Sequence, residues 1–285
     1  MAKLFVVATP IGNLGDLSPR AVDTLRSADL IAAEDTRVTG KLCQVHDIHT
    51  PLTSCHRHNE DTKGQQLADQ MLDQDLTVAL TTDAGTPCVS DPGYGLVRAC
   101  LDRGIEVLPI PGCCAAVAAL SISGFDTREF AFYGFLPREK KDLREKLLSL
   151  SGKAPVAVVH ESPFRVIDLV ETIAEVLPEA LLSVSCDLTK LHEKTLRGTP
   201  EEVLSLLRAN PKTEKGEYCL VLDLHGVPSP EPVSPAPDMS MEARLIQEMT
   251  VQGLSLREAQ DELILNGEKK NAVKQAALNL KRMFE

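Results

Sequence analysis

Short apolar runs alternate with helical stretches along most of this 285-residue chain, and loops rich in glycine, proline and acidic residues follow the runs. KLFVVAT (3–9) reads as a buried strand. SPRAVDTLRSA after it reads as a helix, with Ser18 as cap and Pro19 at the first helical position. LIAAE (30–34), TVALTTD (77–83) and IEVLPI (105–110) read as further strands. Residues 60–74, GYGLVRACLDRG and CCAAVAALSISG read as the helices between and after them. This alternation predicts an α/β fold of parallel sheet layers covered by helices.

The pattern repeats in kind over 125–226. FAFYGF, PVAVVHE, LLSVSCDL and GEYCLVLDL read as strands. SPFRVIDLVETIAEVLP reads as a helix capped by Ser162 with Pro163 at its first position, and TPEEVLSLL opens with a Thr199–Glu202 capping box. The chain thus divides into two α/β domains, 1–124 and 125–226, and a linker at 227–238 with five prolines in twelve residues. A small helical domain follows at 239–285. Its middle helix starts at a second capping box, Ser255–Glu258, and its last follows the basic pair Lys269 and Lys270. Such a unit suits either RNA docking, in the manner of a helix-turn-helix, or packing and dimerisation.

The net charge of −11 argues against generic binding to nucleic acid, which rests on phosphate neutralisation. The whole deficit lies in 1–238, because the tail carries seven basic and seven acidic residues. No C-x-x-C pair occurs among the eight cysteines, so no metal site is expected. The apolar start is too short for a signal peptide, and no run reaches the roughly 18 apolar residues of a membrane span. A cytoplasmic protein with reduced thiols is the expectation.

Ligands of open α/β sheets lie outside the strands' carboxyl ends. ATPIGNLGD (8–16) occupies that place after the first strand, yet it lacks the G-x-G-x-x-G spacing, and the chain has no P-loop. A pyrophosphate ligand, and with it an NAD-dependent dehydrogenase, is disfavoured. In TTDAGTPCVSDPG (81–93), Asp83 is the ligand-facing choice, Gly85 and Thr86 allow close backbone approach, and Asp91 shapes the turn before Pro92. PGCCA (111–115) suits either backbone contact with a flat group such as adenine or close helix packing. AEDTR places Glu34, Asp35 and Arg37 at the same edge, as a site or as a helix start capped by Asp35 or Thr36. HESPFR and DLTKLHEKTLRG bring Glu161, Arg165, Lys190 and Arg197 to strand ends of the second half. Ionisable residues at strand ends in both halves imply a site between them.

VATPIGNLGDLSPRA, AAEDTR, DAGTPCVSDPGYGLV, PGCCAA, GFLPR, ESPFR, LTKLHE and KGEY occur in this order. Together they resemble the ribosomal RNA small-subunit methyltransferase I family of the tetrapyrrole-methylase superfamily, over residues 3–225. The resemblance implies a class III methyltransferase fold, with S-adenosyl-L-methionine in the cleft between two α/β domains. It implies a homodimer, and 2′-O-methylation of a cytidine ribose in the decoding region of small-subunit ribosomal RNA. It places Pro10, Gly12, Asp83, Gly85, Thr86, Cys114 and Ala115 around the cofactor. Base candidates are Lys190, if burial keeps it neutral, Glu34, Asp35 and Glu161; Arg37, Arg165, Arg197, Lys269 and Lys270 are candidates for holding RNA. The chain departs from the family pattern at Thr82, Cys113–Cys114 and Phe164, where serine, Pro-Ser and histidine are usual. Rival readings are methylation of a tetrapyrrole and a cofactor-binding, RNA-docking module without turnover.

Overall fold

A computed structural model describes residues 1–228, 239–251 and 253–284, so residues 229–238 of the proline-rich linker lie outside the described residues. The first sheet has the order β3-β2-β4-β1-β5, formed by β1 (Lys3–Val7), β2 (Leu30–Ala33), β3 (Leu52–Ser54), β4 (Thr77–Thr81) and β5 (Glu106–Ile110). All its pairings are parallel. The helices between and after these strands are α1 (Pro19–Ser27), α2 (Thr36–Val45), α3 (Glu60–Gln74), α4 (Tyr94–Asp102) and α5 (Ala115–Ser123). Side chains alternate across a strand. Leu4, Val78 and Leu80 therefore join one core with Leu67, Met71 and Leu96, while Val7, Ile31 and Ala79 join a second with Ala21 and Leu25. Ser18 Oγ accepts from Ala21 N at 3.1 Å, and Pro19 opens α1.

The second sheet corrects the expectation of parallel layers. Its order is β6-β7-β10-β8-β9, from β6 (Ala131–Phe135), β7 (Val156–Glu161), β8 (Leu181–Cys186), β9 (Lys194–Gly198) and β10 (Tyr218–Asp223). Only β6 and β7 run parallel; β10 pairs antiparallel with β7 and β8, and β8 with β9. The connection from β8 to β9 is a short loop with no helix, and a connection that short allows only antiparallel pairing. Its helices are α6 (Lys140–Leu148), α7 (Val166–Val176) and α8 (Pro200–Ala209). The Thr199–Glu202 capping box opens α8. Helix α7, by contrast, starts after a turn in which the Ser162 carbonyl accepts from Arg165 N and Val166 N, both at 3.1 Å; the Ser162 side chain does not cap it. Helix α5 packs its Ala116, Ala119 and Leu120 against Val156, Val158 and Val221 of the second sheet.

The tail folds as a separate unit of three helices, α9 (Met241–Val251), α10 (Leu256–Leu265) and α11 (Lys270–Phe284), around Leu245, Leu263, Val273 and Leu280. The Ser255–Glu258 box caps α10. Among the described residues, no helix is long and apolar enough to cross a membrane and no cluster of metal-ligating side chains occurs.

Helices α3 and α4 cross through glycines. A Cβ on Gly64 would lie 2.8 Å from Leu96 N, and one on Gly95 would lie 2.9 Å from Glu60 O. Both obstacles are backbone. Gly64→Ala should therefore destabilise the fold by about 1–3 kcal/mol through overpacking, although alanine raises helix propensity by ~1 kcal/mol. In α2, Gly40 has only Leu52 Cδ1 nearby, at 3.6 Å. Gly40→Ala should be neutral or stabilising, and urea midpoints of the two variants check the contrast.

Candidate active site

Two backbone hydrogen bonds hold the loops after β1 and β4 together: Thr9 N donates to Gly85 O at 2.9 Å, and Gly85 N to Thr9 O at 3.0 Å. Gly85 sits at φ +84°, a left-handed conformation in which a Cβ is strained. Thr9 Oγ1 adds a bond to Thr82 O at 3.0 Å, and Thr86 Oγ1 reaches Cys113 O, after β5, at 3.0 Å. Three strand-end loops of the first sheet thus form one backbone-rich wall.

The opposite wall comes from the second sheet, and between them lies a cavity of about 370 Å³. Ile11, Ala84, Gly85, Thr86, Ser90, Asp91 and Cys114 to Ala116 line its first-sheet side. Phe132, Phe135, His160, Glu161, Ser162, Pro163, Leu188 and Glu217 to Cys219 line the other. The volume falls in the usual range for a small-molecule site, about 300–1,000 Å³.

Polar groups inside the cavity await partners. Glu161 is fully buried; its Oε1 accepts from Ser162 N at 2.7 Å, while Oε2 has no hydrogen bond and stands 3.4 Å from the Arg165 guanidinium. The His160 ring meets Phe132 and Phe135 edge-on, its Nε2 is buried without a partner, and burial lowers its pKa. Asp91 has its carboxyl pushed up to about 6 by burial and then by repulsion from Glu34. A flat, polar-edged molecule with hydrogen-bond donors fits this lining.

Gly85, Thr86, Cys114, Ala115 and Glu161 meet in the cavity as a set; the other expected residues stand elsewhere. Pro10 and Asp83 line a neighbouring pocket of about 330 Å³ with Leu14, Val38, Lys41 and Val45. Asp83 accepts there from Asp35 N at 3.1 Å, and its own N–H donates to Glu34 Oε2 at 3.2 Å. Burial raises the pKa of both Glu34 and Asp83. Asp35 caps α2 and pairs with Arg37 at 2.5 Å; the arginine's hydrogen bonds hold its carboxyl far below the usual carboxylate range.

Lys190 does not meet the condition of a neutral amine. Burial alone would lower its pKa, but hydrogen bonds to Asp187 at 2.9 Å and Glu217 at 3.0 Å outweigh that and raise it, so the amine is charged. Its stem packs on Gly12, where a Cβ would lie 2.6 Å from Lys190 Cγ and 3.1 Å from Leu188 O. Asn13 N donates to Thr189 Oγ1 at 3.1 Å beside it. Gly12 is thus a close-approach point between the two halves rather than part of the lining. Arg165 donates to Pro137 O at 2.9 Å, partly buried, and Arg197 donates to Ile122 O at 2.5 Å from an exposed position, so both guanidiniums already hold backbone carbonyls. Lys269 and Lys270 belong to the separate helical unit.

Sequence reasoning missed His160, Glu217, Tyr218 and the cavity-facing place of Asp91. The first three follow from β7 and β10 being neighbours, which pairs Tyr218 with Glu161 and Cys219 with His160. No local pattern announces that pairing.

Residues 3–204 match the family model described as Tetrapyrrole (Corrin/Porphyrin) Methylases. The chain is 46% identical over 223 residues to the ribosomal RNA small subunit methyltransferase I of Halalkalibacterium halodurans, covering 78% of this chain and 76% of that one. It is 39% identical over 278 residues to the protein of that name from Escherichia coli O157:H7, covering 97% and 94%. Among solved structures, uroporphyrin-III-C-methyltransferase from Thermus thermophilus aligns with a TM-score of 0.54 at 21% identity, over 79% of this chain and 96% of that one. Diphthine synthase aligns with a TM-score of 0.58 at 13% identity, over 77% and 89%. The chain belongs to the tetrapyrrole methylase family, in its ribosomal RNA small subunit methyltransferase I branch.

Proposed function

We propose that this protein transfers the methyl group of S-adenosyl-L-methionine to the 2′-oxygen of a cytidine ribose in the decoding region of small-subunit ribosomal RNA. One observation carries the reading. DAGTP, PGCCA, ESPFR and KGEY lie far apart in sequence and send residues into one cavity, in a chain whose relatives at 39–46% identity carry the name ribosomal RNA small subunit methyltransferase I. The uroporphyrin enzyme's resemblance is one of fold, at 21% identity, and does not favour a tetrapyrrole substrate.

The cofactor supplies a methyl group activated on a positively charged sulfur. The protein supplies position and electrostatics. Gly85 and Thr86 offer backbone to the ligand, Cys114 and Ala115 flank its flat base, and the unpartnered Glu161 oxygen accepts from one of its donors. Pro10, Gly12 and Asp83 act one step back by fixing the loops. Positive charge is lost as the methyl group moves, so a wall of carbonyls serves the transition state better than an anion clamped on the sulfur. Arg37, exposed and with no hydrogen bond to a backbone carbonyl among the described residues, is assigned to RNA phosphate, with Lys269 and Lys270 on the tail. An assembled subunit as substrate reconciles RNA work with a chain of net charge −11.

The domain division at residue 124, a cytoplasmic location and a homodimer belong to the same proposal. Leu14, Val38 and Val45 are exposed apolar residues at the neighbouring pocket, which supports self-association through that face.

Incubation with methyl-labelled cofactor and small subunits from a strain lacking the modification should place label on one ribose 2′-oxygen. Label on a base, or none, overturns the reading. Lys190→Met keeps the stem and removes the charge. It should weaken S-adenosylhomocysteine binding about fivefold, the loss of roughly 1 kcal/mol of hydrogen bonding at the cavity edge. Turnover at saturating substrate should stay within about twofold; a loss of about 100-fold would make Lys190 the base.

A further inference from the structure

Asp91 is a cavity residue with no structural task. Its position ahead of Pro92 and α4 suits a helix cap, yet the cap residue is Gly93, which has no side chain to fill that role. Glu60 does the work instead: its Oε2 accepts from Gly93 N at 2.6 Å and from Gly95 N at 3.4 Å. Burial and neighbouring charges set the Asp91 environment, with no hydrogen bond to its carboxylate among the described residues.

The loop is built to hold it there. Cys88 and Ser90 have φ of +68° and +69°, a left-handed conformation unfavourable for residues with a Cβ. Such strain persists only where the surroundings impose it, and it gathers at functional sites. Arg57 Nη2 donates to Ser90 O at 2.9 Å and fixes one side of the loop. The other side packs on β6, where a Cβ on Gly134 would lie 2.8 Å from Ser90 Oγ. Gly134 is at φ +61° beside a register shift in that strand. Both sheets therefore fix the loop that presents Asp91 to the cavity.

We propose that Asp91 takes the proton from the ribose 2′-hydroxyl as its oxygen accepts the methyl group, an inference that rests on the function proposed above. The O–H bond breaks and its proton passes to a carboxylate oxygen of Asp91. The oxygen's electron pair forms the new bond to the methyl carbon, and the carbon–sulfur pair leaves with sulfur, which becomes neutral. The other base candidates are engaged elsewhere. Glu161 is assigned above to a cofactor donor, Glu34 accepts from Asp83 N, Asp35 caps α2, and Lys190 is charged. The groups that bear on Asp91 are Glu34, Asp83 and Arg57 on its own side, with His160, Glu161 and Glu217 across the cavity. A carboxyl titrating near 6 is ionised at neutral pH and is basic enough to help a weakly acidic hydroxyl.

The test compares wild type, Asp91→Asn and Asp91→Glu. Asp91→Asn should bind S-adenosylhomocysteine within about threefold of wild type, while single-turnover methylation of small subunits falls about 100-fold or more. The wild-type rate should rise with pH through a limb near 6 that Asp91→Asn lacks; Asp91→Glu should keep such a limb. Carbon-13 NMR of the substrate-free protein should show one aspartate carboxyl titrating near 6 that the Asn variant lacks.

Stability gives a further check. A carboxyl raised above its unfolded value binds its proton more tightly in the fold, so its contribution to stability falls as pH rises from about 4 through 6. Asp91→Asn should raise Tm at pH 8 and leave it unchanged at pH 4. A wild-type rate in Asp91→Asn, loss of the limb in Asp91→Glu, or a binding loss above tenfold with turnover kept would each overturn the role. If wild type itself labels no ribose, the proposed function fails instead.

Discussion

The reciprocal hydrogen bonds between Thr9 and Gly85 are the constraint on which the site depends. They join two loops that leave neighbouring parallel strands and would otherwise diverge into separate helices. Joined, the loops present the backbone of residues 84–86 to the cavity. Gly85 can take part only because it tolerates φ +84°. Thr86 carries the join to the third loop through Cys113 O. With three loops tied, the first sheet ends in a fixed surface, and the second sheet closes a small-molecule cavity against it.

Two close approaches relate that surface to the rest of the molecule. Gly12 against Lys190 and Leu188 brings the loop after β1 onto the loop after β8, and Gly134 against Ser90 brings β6 onto the loop after β4. The Gly64–Gly95 crossing lets Glu60 reach the start of α4 and fix the end of that same loop. Glycine thus recurs at close approaches, to backbone at Gly64 and Gly95 and chiefly to side chains at Gly12 and Gly134, and each bears on the cavity wall.

Much of this was legible in the sequence. Apolar runs and capping signals located most strands and helices because burial and capping write local patterns. The strands β3 and β9 escaped notice because they are short or polar edge strands, with few residues in the core. The antiparallel half of the second sheet escaped because pairing partners are set by tertiary packing. The loops that form the wall were legible too, since strand ends mark them. Which side chain of a loop faces the cavity was not. In TTDAGTPCVSDPG the left-handed Cys88 and Ser90 accompany the turn that brings Asp91 to the cavity, and neither residue type signals that conformation. Charge states were equally hidden: Lys190 depends on Asp187 and Glu217, and Glu217 is distant in sequence and brought close only by the β8–β10 pairing.

The central claim is that the space between the two sheets is the cofactor site. A crystal structure with S-adenosylhomocysteine tests it most directly. The account predicts the ligand between the 84–86 and 114–116 loops on one side and Glu161 and Tyr218 on the other, with a donor on the Glu161 Oε2 oxygen. Ligand in the neighbouring pocket beside Pro10 and Asp83, with the larger cavity empty, would contradict it.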